Sequence, residues 1–142
     1  MSLISESQYG EKFLRAHAQS ILDFAINSQS PLERPSNVST VFYGNIDTSK
    51  PREVYQQSRF THVYGLAHLM DLGHYESQIS FGLDAMNSMR DQENGGFFNA
   101  INQENVPIEG KKLCYDHAFV LLGSLMGKAV GISGSGEIYS HV

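Results

Sequence analysis

The sequence contains no tryptophan, a single cysteine, four prolines and no long apolar run. With only Cys114 available, a disulfide scaffold is excluded and a cysteine-rich zinc site has no ligands. No stretch approaches the roughly 20 apolar residues that a membrane-spanning helix needs. Basic residues are also scarce, 10 Lys+Arg scattered among 15 Asp+Glu for a net charge of −5. That balance argues against nucleic acid or an anionic membrane surface as the partner. The opening residues Met1-Ser2-Leu3-Ile4-Ser5-Glu6 show no basic segment followed by an apolar stretch, so we expect no secretory signal and a cytoplasmic location. What is present is a chain of 142 residues, 41% hydrophobic. We read it as one segment, residues 1–142, whose compact form would bury roughly 68% of the surface its unfolded chain exposes, without metal or disulfide staples.

Helical periodicity dominates the chain. Phe13, Leu14, Ala18, Ile21, Leu22, Ala25 and Ile26 predict an amphipathic helix over Glu11 to Ile26. Residues 27–50 turn to Ser, Pro, Asn and Gly around Val41-Phe42-Tyr43-Gly44, a long loop with room for one strand pair. A second helix is expected from Ser49, as N-cap, to about Leu72, with Pro51 just inside and an apolar stripe of Phe60, Val63, Tyr64, Ala67 and Met70. A third is expected over Tyr75 to Arg90 with Ile79, Leu83, Ala85, Met86 and Met89 inward. Residues 97–108 predict a small β-hairpin. A fourth helix is expected from Lys112 to Val130, with Tyr115, Ala118, Phe119, Leu122 and Met126 on one face, and a fifth begins at Glu137. The pattern His, small apolar, aromatic, any, Leu occurs at His62 and again at His117, an offset of 117 − 62 = 55 residues, which suggests repeated helix hairpins. Because the last predicted helix has hardly begun when the sequence stops, we expect the front part of a longer helical array.

Among side chains with chemistry to offer, Tyr55, Arg59 and His62 share one face of the second helix at spacing i, i+4, i+7. A phenol, a permanent cation and an imidazole so arranged could grip a polyol or a developing oxyanion. A solvated helix face is the simpler reading of the same spacing. Tyr115, Asp116 and His117 open the fourth helix, where a tyrosine can bond a sugar hydroxyl and a histidine can shuttle protons. Equally, Asp116 could complement the helix dipole and Tyr115 pack as a core aromatic with a wet tip. His68 and His74 flank Asp71, but no His pair sits at i, i+4 with an intervening Glu, so no metal site is expected. Cys114 and His117 are close only because helical spacing makes them so. The glycines at 95, 96, 131, 134 and 136 lack the context of a phosphate loop.

Taken together, Ser58-Arg59-Phe60-Thr61-His62-Val63-Tyr64-Gly65-Leu66-Ala67, Gly82-Leu83-Asp84-Ala85-Met86, Asp91 with Gly95-Gly96-Phe97-Phe98, and Tyr115-Asp116-His117-Ala118-Phe119-Val120-Leu121-Leu122 resemble the N-acylglucosamine 2-epimerase family, particularly its mannose isomerase branch of aldose–ketose isomerases. The resemblance spans nearly all of the chain, more loosely before Ser49, and about the first third of a typical member. It implies an all-α fold of antiparallel helix hairpins, an incomplete portion of an (α/α)6 barrel with one small β-hairpin. It implies proton transfer through a cis-enediolate on a monosaccharide or other small sugar, with no cofactor. Carried over by motif, Arg59 falls on the arginine at the sugar oxygen beside the reacting carbon, the one residue expected to be catalytic here. Tyr115 falls on a pocket tyrosine, Tyr55 on a position where many members carry tryptophan, and His62 on a histidine that supports the arginine. All four are expected to bind substrate. The family's two catalytic histidines belong to later hairpins, so we expect the chain alone to be inactive. A second reading is a non-catalytic hairpin module for interaction or assembly. Its unpaired faces lead us to expect a homo-oligomer.

Overall fold

The computed structural model describes residues 10–27, 40–42, 45–47 and 50–142. Among these residues five helices follow in order: α1 (Glu11–Asn27), α2 (Val54–Leu69), α3 (Glu76–Asn87), α4 (Cys114–Val130) and α5 (Ser135–Tyr139). The described residues also hold four short strands in two antiparallel pairs. In one, β1 (Thr40–Phe42) runs against β2 (Asn45–Asp47), the strand pair expected in the long loop. In the other, β3 (Arg52–Glu53) pairs with β4 (Ala100–Ile101).

Contacts along the helices fix their directions. Tyr64 stacks on Tyr75 while the Ser58 hydroxyl meets Met86 Sδ at 2.9 Å, so α2 and α3 run antiparallel. Tyr55 meets Tyr115 and Gly65 lies against Met126, so α2 and α4 run parallel. The core between these three helices is built from Tyr64, Ile79, Leu83, Met86, Met89, Phe97, Ile101 and Val120. All five residues expected inward on the third helix are buried. Helix α1 lies across the turn from α2 to α3: Arg15 donates to Met70 O at 3.2 Å, and Gln19 Nε2 donates to the Tyr75 hydroxyl at 2.9 Å.

Several expectations are corrected. The second helix starts at Val54, because residues 52 and 53 are held extended against β4 and the Val54 N–H donates to Asn99 O at 3.0 Å. Pro51 therefore precedes a strand instead of opening a helix, and Ser49 lies outside the described residues. The 97–108 hairpin is present as expected, its arms bridged antiparallel at Ile101 and Pro107 with Asn102 N–H donating to Val106 O and Ile108 N–H to Ala100 O, and its first arm also pairs with β3. The buried side of α4 consists of Asp116, Val120, Gly123, Ser124 and Gly127, not the aromatic stripe. Small residues win that face because the α2 backbone passes close by: a Cβ on Gly123 would sit 2.9 Å from Ser58 O. On α2, Tyr64 and Ala67 are buried as expected while Val63 and Met70 are exposed, and α1 buries only Leu22 of its apolar set. Exposed Ile21, Val63, Leu66 and Met70 thus line an apolar groove between α1 and α2. Finally, the His62 and His117 patterns are not structurally equivalent, since His62 lies two turns into α2 and His117 in the first turn of α4.

Candidate functional site

Because α2 and α4 run parallel and both begin beside the β3–β4 ladder, their first turns stand side by side. Tyr55 and Tyr115 each occupy the second position of a helix, and their rings meet edge to face with centroids 5.9 Å apart. Tyr115 in turn packs on Phe119, one turn along α4, at 4.9 Å. The Arg59 guanidinium carbon lies 5.4 Å from the Phe119 ring centroid, a cation–π contact that steers an otherwise exposed and flexible side chain. Tyr115 is 58% exposed, so the cluster presents a phenol, an aromatic edge and a guanidinium to solvent together.

Sequence reasoning on one helix missed Phe119, which it assigned to the core face. Its role becomes visible only when the parallel packing of α2 and α4 sets Arg59 opposite it. His62 sits one turn beyond Arg59, half-buried, with Nδ1 buried and lacking a hydrogen-bond partner among the described residues. Burial lowers its pKa below the ordinary histidine value. The ring is thereby held neutral at physiological pH, available as a hydrogen-bonding group without charge.

The other polar residues that open α4 do structural work. His117 accepts the Phe97 N–H at Nε2 (3.1 Å) and contacts Leu113 O from Nδ1 at 2.8 Å. An acceptor at Nε2 and a carbonyl at Nδ1 require the Nδ1–H tautomer. With both nitrogens used, His117 pins the glycine turn to α4, and that turn needs Gly96 at φ +70°, where a Cβ would meet His117 Nε2 at 2.7 Å. Asp91 holds the other side of the turn: Oδ1 accepts the N–H groups of Glu93 and Asn94 at 2.9 and 3.0 Å, and Oδ2 pairs with Lys112 Nζ at 2.5 Å. The Lys112 bond, with those backbone donors, holds the Asp91 carboxyl far below the usual carboxylate range. Asp116 stands in the first turn of α4, the dipole position that the sequence suggested, but it is buried there, and its Oδ2 finds no hydrogen-bond partner among the described residues. Burial raises its pKa, against a lowering by His117 and with a further raising by Glu53.

The structure therefore brings Tyr55, Arg59 and Tyr115 into one cluster and sets His62 below it. It removes His117 from the set of free imidazoles.

Comparison with known proteins gives this arrangement its context. Residues 41–141 match the family N-acylglucosamine 2-epimerase (GlcNAc 2-epimerase). D-mannose isomerase of Thermobifida fusca is 35% identical over 81 residues, covering 56% of this chain and 20% of that protein. The structure of cellobiose 2-epimerase from Spirochaeta thermophila DSM 6192 superposes with a TM-score of 0.69 at 17% identity, over 91% of this chain and 34% of the other. The chain thus spans about a fifth of the length of that isomerase and a third of the epimerase, and its fold is a portion of an (α/α)6 barrel. With seven-tenths of its residues inside the match, the chain belongs to the N-acylglucosamine 2-epimerase family.

Proposed function

We propose that this chain supplies the sugar-binding wall of an aldose–ketose isomerase or 2-epimerase acting on mannose-like sugars. The observation that carries the reading is the Arg59–Phe119–Tyr115–Tyr55 cluster across the first turns of two parallel helices. In such a reaction the proton on the carbon beside a carbonyl is removed, and charge develops on the carbonyl oxygen as a cis-enediolate forms. Returning the proton to the neighbouring carbon gives the ketose; returning it to the opposite face of the same carbon gives the epimer. No electrons are gained or lost, so the chemistry calls for no redox cofactor. The difficulty lies in the weak acidity of the proton, and fixed donors at the developing oxyanion lower that barrier.

Arg59 suits the oxyanion because its fork of donors stays charged. Its contact with Phe119 limits the orientations it must give up on binding. Tyr55 and Tyr115 offer aromatic faces to sugar C–H surfaces and hydroxyls to its oxygens. His62, kept neutral by burial, suits a sugar hydroxyl and supports Arg59 without competing for the proton.

His117 is unsuited as the base, since both its nitrogens are engaged by backbone groups. The family resemblance implies that base and acid are two histidines of later hairpins, outside these 142 residues, and on that reading the chain alone is expected to bind sugar without turning it over. The exposed apolar groove between α1 and α2 fits burial against another copy or hairpin, in line with a homo-oligomer. No helix among the described residues is long and apolar enough to cross a membrane. A cytoplasmic site of action completes the proposal.

Saturation-transfer NMR with mannose and fructose tests this reading. Transfer from tyrosine protons to sugar is expected, with Arg59→Ala weakening binding about tenfold or more, the loss of one charged hydrogen bond. Equal binding by wild type and Arg59→Ala would refute the site. Measurable mannose–fructose interconversion by the chain alone would refute the placement of the base.

A further inference from the structure

At the far end of α2 from Tyr55, His68, His74 and Glu76 converge where the chain turns back into α3, and their candidate ligand atoms all lie within 4.8 Å of one another. His68 Nδ1 is 3.7 Å from Glu76 Oε2, and His74 Nδ1 is 3.9 Å from Glu76 Oε1. We propose that these three side chains form a binding site for a divalent cation of the zinc class.

Spacing in the sequence conceals the site because the two histidines are six positions apart and the shape of the turn brings them together. Asp71 adopts φ +55° and Gly73 φ +156°. A Cβ on Gly73 would meet the Tyr75 ring at 3.1 Å, so this path requires glycine. Between the two ligands His74 and Glu76, Tyr75 is buried. It stacks on Tyr64 with centroids 5.7 Å apart, and its hydroxyl is held by Gln19. The backbone carrying the site is therefore anchored before any ion arrives.

Donor chemistry selects the ion. Two imidazoles and one carboxylate suit zinc, cobalt or nickel, whereas magnesium and calcium favour all-oxygen shells. Donors bound about 2.0–2.2 Å from a tetrahedral ion lie roughly 3.3–3.6 Å apart. The two nitrogen–oxygen separations need to contract only slightly, and His74, whose side chain is 92% exposed, is free to close the remaining gap. The Tyr75 N–H reaches His68 Nδ1 only at 3.5 Å, the limit of a hydrogen bond, so coordination there sacrifices little. Water completes the shell on the solvent side. Thirteen residues of helix separate His68 from Tyr55, about 20 Å, so the ion would clasp α2 to α3 and take no part at the Arg59 cluster.

The test is titration of the metal-free chain with Zn²⁺ and with Co²⁺ at neutral pH, followed by calorimetry, cobalt visible absorption and thermal unfolding. One equivalent of Zn²⁺ should bind and raise the unfolding temperature, Co²⁺ should give a visible ligand-field band, and Mg²⁺ at the same concentration should do neither. His74→Ala and Glu76→Gln alter exposed side chains, so both should melt like the metal-free wild type. Each should weaken Zn²⁺ binding by about tenfold or more. Absence of one-equivalent binding would overturn the proposal. So would binding that survives both variants, because the ion would then be held by other histidines or by Cys114.

Discussion

Replacing Gly123 by alanine probes the seam on which the candidate site depends. The new Cβ would stand 2.9 Å from Ser58 O, 3.2 Å from Ser58 Cα and 3.3 Å from Met86 Cε. The methionine methyl can swing aside. The Ser58 backbone belongs to α2 and can yield only if the two helices part by about half an ångström, since cores are packed near crystal density. Overpacking of this kind costs about 1–3 kcal/mol, against a helix-propensity gain of up to about 1 kcal/mol for alanine over glycine. At the middle of the overpacking range the net is a loss of about 1 kcal/mol, or about 2–5 °C in unfolding temperature for a chain of this length. Gly136→Ala supplies the control: it lies in α5 with nothing within 4 Å of the added atom, so only the propensity gain of about 0.5–1 kcal/mol remains. Thermal and urea unfolding followed by circular dichroism measure both variants. If Gly123→Ala matches or exceeds wild-type stability, the close approach of α2 and α4 is not the constraint described here. Parting the helices should also separate Arg59 from Phe119, so sugar binding should weaken in parallel with stability.

Three further outcomes are expected. Asp91→Asn removes the partner of Lys112 and should lower the unfolding temperature at neutral pH. Because the folded carboxyl titrates below its unfolded value of about 3.9, its contribution is complete above that pH and fades as pH falls through the folded value. Melting curves of variant and wild type should therefore converge below about pH 4, and a gap that persists undiminished would contradict this. His117→Leu deletes two backbone contacts and should cost about 2 kcal/mol, roughly 1 for each; an unchanged urea midpoint would be the contrary result. His62, with a lowered folded pKa, contributes stability above its unfolded value of about 6.5 that is lost as pH falls through the folded value. Denaturation at pH 8 and pH 5.5 should show wild type losing more stability than His62→Gln, and an NMR midpoint at or above 6.5 would contradict the assignment.

How much of this could be seen in sequence depended on what each residue competes against. Helix α3 was legible because its large apolar residues apart from Phe81, namely Ile79, Leu83 and Met86, form one stripe that Ala85 and, just past the helix, Met89 continue, and all five are buried. In α4 apolar residues surround the axis, so periodicity favoured the bulky stripe. The buried side was decided by close packing, with the α2 backbone at Gly123 and the Leu83 and Ser135 side chains at Gly127 leaving no room for larger residues. Ser49 and Pro51 carry a genuine helix-start signal, overridden at residues 52 and 53 by pairing with a strand 48 residues away. Local chemistry cannot report such a partner. At the candidate site, i, i+4, i+7 spacing found the α2 side, Tyr55, Arg59 and His62. The contribution of Phe119 arises between helices and has no signature within either. His117 looked reactive in sequence because its tie to Phe97 N–H, 20 residues back, is a property of the folded turn.

The two-residue ladder between β3 and β4 has a consequence for how this segment folds. In a helical protein most contacts are close in sequence and form quickly. Arg52 pairs with Ile101 across 49 residues, and the Arg52 guanidinium also reaches Asn102 O and the Asn105 side chain. Closing a loop of that length is entropically costly, and few bonds offset it until α4 docks. Pairing of α2 with α3 can therefore proceed early from neighbouring residues, whereas the register joining the starts of α2 and α4 is settled late. On the ribosome, Tyr55 and Arg59 would wait some sixty residues of synthesis for the helix that carries Tyr115 and Phe119.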